Sequence, residues 1–318
     1  MASYYNVYGF VIKVSGTAES SFQREYYRFE ISSCPNANLE IVQVDNLLDK
    51  AFKISPVAST KGIFIDFKTN KVYYEEGLND FVLYYTEPLI QWPDKVLLHA
   101  GAVEKDGKAY LFPAAGGVGK TAMVTELSKR GYRYLADDWV IVDKDGMAYP
   151  FYKNIHIMDY NLKDKELAKK VLGWKRIPYK IYFWIINLLH DFETARPARF
   201  VLEKLKKDFK VDVSKLFKEV GKPSKIKRIF WLKVGKELSI KKSSIKELIK
   251  QMSYVNDYEH NHFLKEYQRY AYHYGSIKMN RSLKILSNLK CDIFEVIVPK
   301  KINPNDVLKI FKYQGVLE

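Results

Sequence analysis

Ala114-Ala115-Gly116-Gly117-Val118-Gly119-Lys120-Thr121 is the stretch on which the reading of the fold turns. It fits the pattern G-x-x-x-x-G-K-[ST], with Ala114 at the first glycine position. Such a loop turns backbone N–H groups inward around phosphate oxygens, in conformations and close approaches that glycine permits. Lys120 would bring a point charge to the β and γ phosphates and Thr121 a hydroxyl to Mg²⁺. The N-terminus of the next helix would add its partial positive charge. A Cβ at Ala114 is compatible with the loop only where φ is negative. Residues Ala115 to Ala122 are therefore expected to line a nucleoside triphosphate.

The flanking sequence supports that reading. Val96–Glu104 and Ala109–Pro113 are strand-like and are joined through Asp106-Gly107, a dipeptide suited to a tight hairpin turn. A helix is expected from about Lys120 to Arg130, ended by Gly131 as a C-cap. A strand then runs to Ala136 and another over Trp139–Val142, with a second turn at Asp145-Gly146. Strand, glycine-rich loop, helix and strand in this order predict an α/β nucleotide-binding core.

Asp137-Asp138 closes the strand after the loop's helix. Carboxylates at that edge, beside a phosphate loop, are placed to hold Mg²⁺ and to accept a hydroxyl proton. Adjacent residues point in different directions, so one can serve the metal and the other the nucleophile; a turn or helix cap takes Asp just as readily. His99 lies in a strand entering the same core. The remaining histidines, including His260 and His262, form no metal-like set.

Residues 1–93 read as a β-rich N-terminal subdomain, with strands expected at Val7–Val14, Arg24–Ile31, Leu39–Val44, Gly62–Phe67 and Lys71–Glu75. Thr69-Asn70 reads as a hairpin turn, and 78–91 as a helix or a strand. Residues 94–318 form the nucleotide-binding domain, with a helical basic insertion at about 160–225. Helices are expected there at Leu162–Leu172, Tyr179–Leu189 and Arg199–Phe209. Further on come strands at Ile229–Val234, Leu238–Lys241 and Asp292–Val298. Ser244 with Glu247 reads as a capping box, and Asn303-Pro304 as the start of a last helix.

The net charge of +15 favours polyanionic partners, and the basic run 204–228 is where nucleic acid would bind; a solvated helix face is the plainer reading of that run. Two distant cysteines, Cys34 and Cys291, suggest neither a disulfide framework nor a zinc site. The longest apolar stretch, Ile181–Leu189, is too short to span a bilayer, and the N-terminus carries no signal-peptide pattern. A cytoplasmic protein without membrane attachment is expected.

Leu98-His99-Ala100-Gly101-Ala102-Val103, Gly116 to Thr121, Lys129-Arg130-Gly131 and Leu135-Ala136-Asp137-Asp138 together resemble the HPr kinase/phosphorylase catalytic domain, related to the ATP-type phosphoenolpyruvate carboxykinases. The resemblance covers about residues 96–145. It implies an α/β (α+β) fold with the P-loop at one edge of a two-sheet core, and it permits a homo-oligomer. It implies ATP and Mg²⁺, with Lys120 on the phosphates and Thr121 on the metal. Asp137 would be the general base toward an acceptor hydroxyl and Asp138 a metal ligand, although the two can exchange. His99 would lie near the transferred phosphoryl group. Ala122 stands where true HPr kinases often carry an acidic residue, which points to another acceptor: a protein, a small molecule or RNA. The sequence thus fits a kinase, a nucleotide-binding switch with little turnover, or a basic nucleic-acid-binding protein.

Overall fold

The computed structural model describes residues 2–45, 47, 57–60, 62–66, 68–86, 89–157, 165–172, 209–252, 281–300 and 302–317. The expected helix at Tyr179–Leu189 lies outside them, as do His190, His260, His262 and His273. So does the expected helix at Arg199–Phe209, apart from Phe209 itself, which opens a strand. The chain is mixed α/β and forms two compact units, Met1–Tyr152 with Gly221–Glu318, and Lys153–Val220.

The first sheet of the larger unit contains β1 (Ala2–Val7), β2 (Phe10–Ser15), β3 (Glu30–Ile31), β4 (Leu39–Gln43), β5 (Val57–Thr60), β6 (Ile63–Asp66) and β7 (Lys71–Tyr74). Their order is β3-β1-β2-β4-β7-β6-β5. The β6–β7 hairpin forms where Thr69-Asn70 predicted it, with Asn70 at φ +53°. Two expectations fail here. Val7–Val14 is not one strand, because Tyr8 and Gly9 take φ +49° and +93° and fold β1 back onto β2. Asn6 Oδ1 accepts from Gly9 N–H at 2.7 Å and fixes that turn. Arg24–Ile31 is strand only at its end, over β3 (Glu30–Ile31). Residues Glu19–Tyr26 form a helix, α1, followed by a 3₁₀ turn at Tyr27–Phe29. The aromatic residues suggest a strand, but Phe22 and Tyr26 repeat at helical spacing and stack at 5.5 Å in the core. The ambiguous stretch after residue 78 is helical over α2 (Asn79–Thr86).

The second sheet contains β8 (Lys95–Lys105), β9 (Lys108–Pro113), β10 (Arg133–Ala136), β11 (Trp139–Asp143) and β12 (Met147–Tyr149). After the smaller unit, whose β13 (Ile155–Ile157) and β14 (Phe209–Val211) pair with each other, come β15 (Ser224–Gly235), β16 (Ser239–Lys242) and β17 (Asp292–Pro299). Strand β9 pairs with both β8 and β15, so β8, β11, β12, β15 and β9 form a hydrogen-bonded ring. Strand β15 runs parallel to β9 within the ring and to β17 outside it.

Period-2 alternation gives β8 two different faces. Val96, Leu98, Ala100 and Ala102 join a core with Leu248 and Met252 of helix 245–252 and Ile285 and Leu286 of helix 281–287. On the other face Leu97 joins Trp139, Ile141 and the first sheet in a second core. His99 follows Leu97 on that face. The helix after the glycine-rich loop, α3, runs Lys120–Ser128 and is followed by Gly131 at φ +83°. Helix α4 (Lys165–Leu172) and the short α5 (Val213–Leu216) belong to the smaller unit. The last helix, α8 (Pro304–Tyr313), begins as expected, with Asn303 Oδ1 accepting from Asn305 N–H at 2.9 Å; helices 245–252 and 281–287 count as α6 and α7. Phe230 of β15 stacks on Phe112 of β9, Phe294 of β17 and Phe311 of α8, fastening that helix to the parallel strands.

Candidate functional site

The glycine-rich loop leaves the C-terminal end of β9, the usual position for a ligand crevice beside parallel strands. Gly117 and Gly119 take φ +75° and +116°, which suit glycine and few other residues. Ala114 is not among the residues with positive φ, and its side chain is fully buried. The departure from the glycine pattern is thus sterically accommodated. Gly116 and Gly117 are exposed, with Ala115, Val118, Gly119, Thr121 and Ala122 half-buried. Lys120 is buried, and its Nζ donates to the carbonyls of Ala114 at 3.1 Å and Ala115 at 3.3 Å. The ammonium thus folds over its own loop.

Helix α3 reaches that position because Gly101 of β8 has no side chain. A Cβ there would lie 2.9 Å from Val124 Cγ2 and 3.4 Å from Lys120 Cβ. Sequence reasoning gave Gly101 no role, although a glycine inside a strand is itself a signal of close approach.

The aspartate pair meets the loop from β10. Thr121 Oγ1 donates to Asp137 Oδ2 at 3.0 Å. Asp137 is 8% exposed, and its Oδ1 is buried without a hydrogen-bond partner. Burial, reinforced by the negative charge of Asp138, pushes the Asp137 carboxyl up to about 7, against the pull of the Thr121 hydroxyl and the Lys120 charge. Asp138 turns the other way, with 68% of its side chain exposed, and its Oδ1 lies 2.8 Å from His99 Nε2. An ionised carboxylate only accepts, so Nε2 carries the proton in this pair. His99 is 2% exposed, and its ring lies 5.0 Å from that of Trp139. The backbone reinforces the contact, since Ala100 N–H donates to the Asp138 carbonyl at 3.1 Å.

Lys120, Thr121, Asp137, Asp138 and His99 are therefore gathered at one place. Missed in the sequence were Trp139, which flanks His99, and Tyr134. The latter is fully buried, and its phenol is held well above its ordinary range by burial and by both aspartates. Among the described residues, no three His, Cys, Asp or Glu side chains gather to hold a metal ion. Magnesium takes one or two carboxylates and a hydroxyl together with waters and phosphate oxygens. The orphaned Asp137 Oδ1 beside the Thr121 hydroxyl fits that provision.

The described part of the basic run does not form one helical face. Lys210 lies on β14, Lys215 on α5, and Lys225, Lys227 and Arg228 on β15. Ile226 between the two lysines is buried, so the charges there are the outward half of a strand. Lys204 to Lys207 lie outside the described residues. No described helix is long and apolar enough to cross a membrane.

No family model matches the chain. No curated protein matches it at a significant level.

Proposed function

We propose that the chain is an ATP- and Mg²⁺-dependent phosphotransferase, a divergent relative of the HPr kinases, that moves the γ-phosphoryl group to an acceptor hydroxyl. The observation that carries this reading is the convergence of three separated elements. The loop lysine and threonine, the aspartate pair and the strand histidine come together through the Thr121–Asp137 and Asp138–His99 contacts. Phosphoryl transfer requires positioning and charge neutralisation rather than covalent chemistry, and these groups provide both.

Backbone N–H groups of residues 115–121 would cradle the phosphates, with Lys120 leaving its two carbonyls for the β and γ oxygens. Thr121 and Asp137 would hold Mg²⁺, which when bound neutralises phosphate charge and orients the β and γ oxygens. This exchanges the two aspartate roles that the resemblance first implies, and the exchange rests on burial. Asp137 is enclosed beside the threonine, whereas Asp138 is exposed to an incoming hydroxyl. His99 holds the Asp138 carboxylate in direction, so Asp138 can take the acceptor proton as the oxygen attacks phosphorus.

Equilibrium binding and turnover of Mg·ATP by two variants test the division. Asp138→Asn should bind Mg·ATP within about threefold of wild type and lose turnover by about 100-fold or more. Asp137→Asn should weaken the Mg²⁺-dependent part of binding. The opposite pattern would return Asp137 to the role of base.

A further inference from the structure

Strand β10, which delivers the aspartate pair, lies at the end of its sheet and is gripped where the chain leaves and re-enters the larger unit. Two consecutive β10 carbonyls accept from outside the β8–β10 pair. Gly221 N–H donates to the Tyr134 carbonyl at 2.7 Å, and Phe151 N–H to the Leu135 carbonyl at 3.0 Å. Tyr152 joins the two stems, its hydroxyl donating to the Gly221 carbonyl at 2.8 Å. Tyr152 and Gly221 are the residues immediately before and after the unit Lys153–Val220.

The grip falls on an irregularity. Pairing of β10 with β8 shifts register between Tyr134 and Ala136, so Leu135 is the extra residue of a bulge two positions before Asp137. A bulge bends its strand and re-aims the side chains that follow. Gly221 sits against this bulge with no room for a side chain. A Cβ there would lie 2.9 Å from Leu135 Cδ2, 3.1 Å from Glu104 Cβ and 3.2 Å from Glu104 Oε2. Glu104 is 1% exposed and is held by Arg133 through two hydrogen bonds, at 2.6 and 2.8 Å, so that wall does not swing away.

We propose that Tyr152 and Gly221 are positioning residues for the aspartate pair: by gripping the bulge in β10 they set the directions in which Asp137 and Asp138 leave the strand. Both residues belong to the larger unit, so the clasp acts on the site from within that unit. The importance of the pair for transfer rests on the function proposed above; the mechanical link does not.

Tyr152→Phe and Gly221→Ala, made in the full chain, test it with two readouts. The first needs no activity: the side-chain ¹⁵N signals of His99 at fixed pH, assigned by their loss in His99→Gln, report its bond to Asp138. The second compares the Kd of a fluorescent ATP analogue with the rate of γ-phosphate release. We expect the His99 signals to move in both variants. The analogue Kd should stay within about threefold of wild type, while release falls by about tenfold or more. Tyr152→Phe removes one hydroxyl and should keep its Tm within a few degrees, so it remains informative if Gly221→Ala folds poorly. His99 signals identical to wild type in Tyr152→Phe would overturn the proposal and leave the clasp a purely structural one. If the wild-type protein neither binds nor hydrolyses ATP, the proposed function falls, and the His99 signals alone decide this inference.

Discussion

The Thr121 hydroxyl donates to Asp137 Oδ2 at 3.0 Å, while Oδ1 of the same carboxylate is buried without a partner. One oxygen is thus fixed against the first turn of α3, and the other is enclosed without a bond. A buried, half-satisfied carboxylate beside Asp138 resists ionisation, which is why burial drives Asp137 up to about 7. A divalent cation at Oδ1 would remove that resistance. On the proposed reading, proton and magnesium would compete for one side chain.

That competition has a direction. With its carboxyl pushed up to about 7, Asp137 would be open to a cation above that pH and increasingly protonated below it. Mg²⁺-dependent ATP affinity should weaken by roughly tenfold for each pH unit below 7. Calorimetric titrations between pH 5.5 and 8.5 in wild type and Asp137→Asn check this, with the variant losing most of the slope.

Stability should move the other way. The folded carboxyl titrates about 7, above its ordinary value of 3.8, so its contribution is fully present below pH 4 and is lost as the pH rises through 7. Asp137→Asn, without bound ligand, should therefore be more favourable to the fold at pH 8 than at pH 4, by about 2–4 kcal/mol. Urea unfolding of both proteins at the two pH values measures the difference. An equal effect at both values would contradict the assignment of a raised carboxyl.

Gly101→Ala should disturb both fold and ligand binding, because the new Cβ meets Val124 Cγ2 at 2.9 Å in the seam between β8 and α3. Overpacking of this kind costs about 1–3 kcal/mol. The Tm should fall by several degrees, with weaker ATP binding, since α3 carries Lys120 and Thr121.

Ala114→Gly makes the opposite point. Ala114 does not need positive φ and fills a buried space, so completing the glycine pattern offers the loop nothing. ATP affinity should change by less than about threefold, and stability should drop by about 0.5–1 kcal/mol from the added chain freedom. A large gain in affinity would show that the alanine methyl obstructs the site.

Much of this was legible in the sequence wherever one local rule was enough. Asp106-Gly107 marks the β8–β9 turn, Asn303-Pro304 starts α8, and Asp145-Gly146 turns β11 into β12. Ser244 Oγ accepts from Glu247 N–H at 3.2 Å, half of the expected capping box. The first sheet was harder because its signals conflict. A tyrosine at φ +49° hides the Tyr8-Gly9 turn, and the tyrosines and phenylalanine of 26–29 outweigh the helical spacing of Phe22 and Tyr26. At the site the chemical residues stood out, but their division did not. The aspartates follow a bulge at Leu135, where Phe151 and Gly221 bond to β10 carbonyls, contacts that no local pattern records.

The most direct test of the central claim is incubation of the purified protein with Mg²⁺ and γ-labelled ATP, beside Lys120→Ala, with cell lysate and total RNA offered as acceptors. Lys120 is the charge that would meet the β and γ phosphates, and losing charge-assisted hydrogen bonds of that kind costs about 2–3 kcal/mol, or roughly 30–150-fold in affinity. We expect label on a distinct acceptor with the wild type and none with Lys120→Ala. ATP binding without transfer or hydrolysis would replace the kinase by a nucleotide-dependent switch, and the absence of ATP binding would contradict the account at its root.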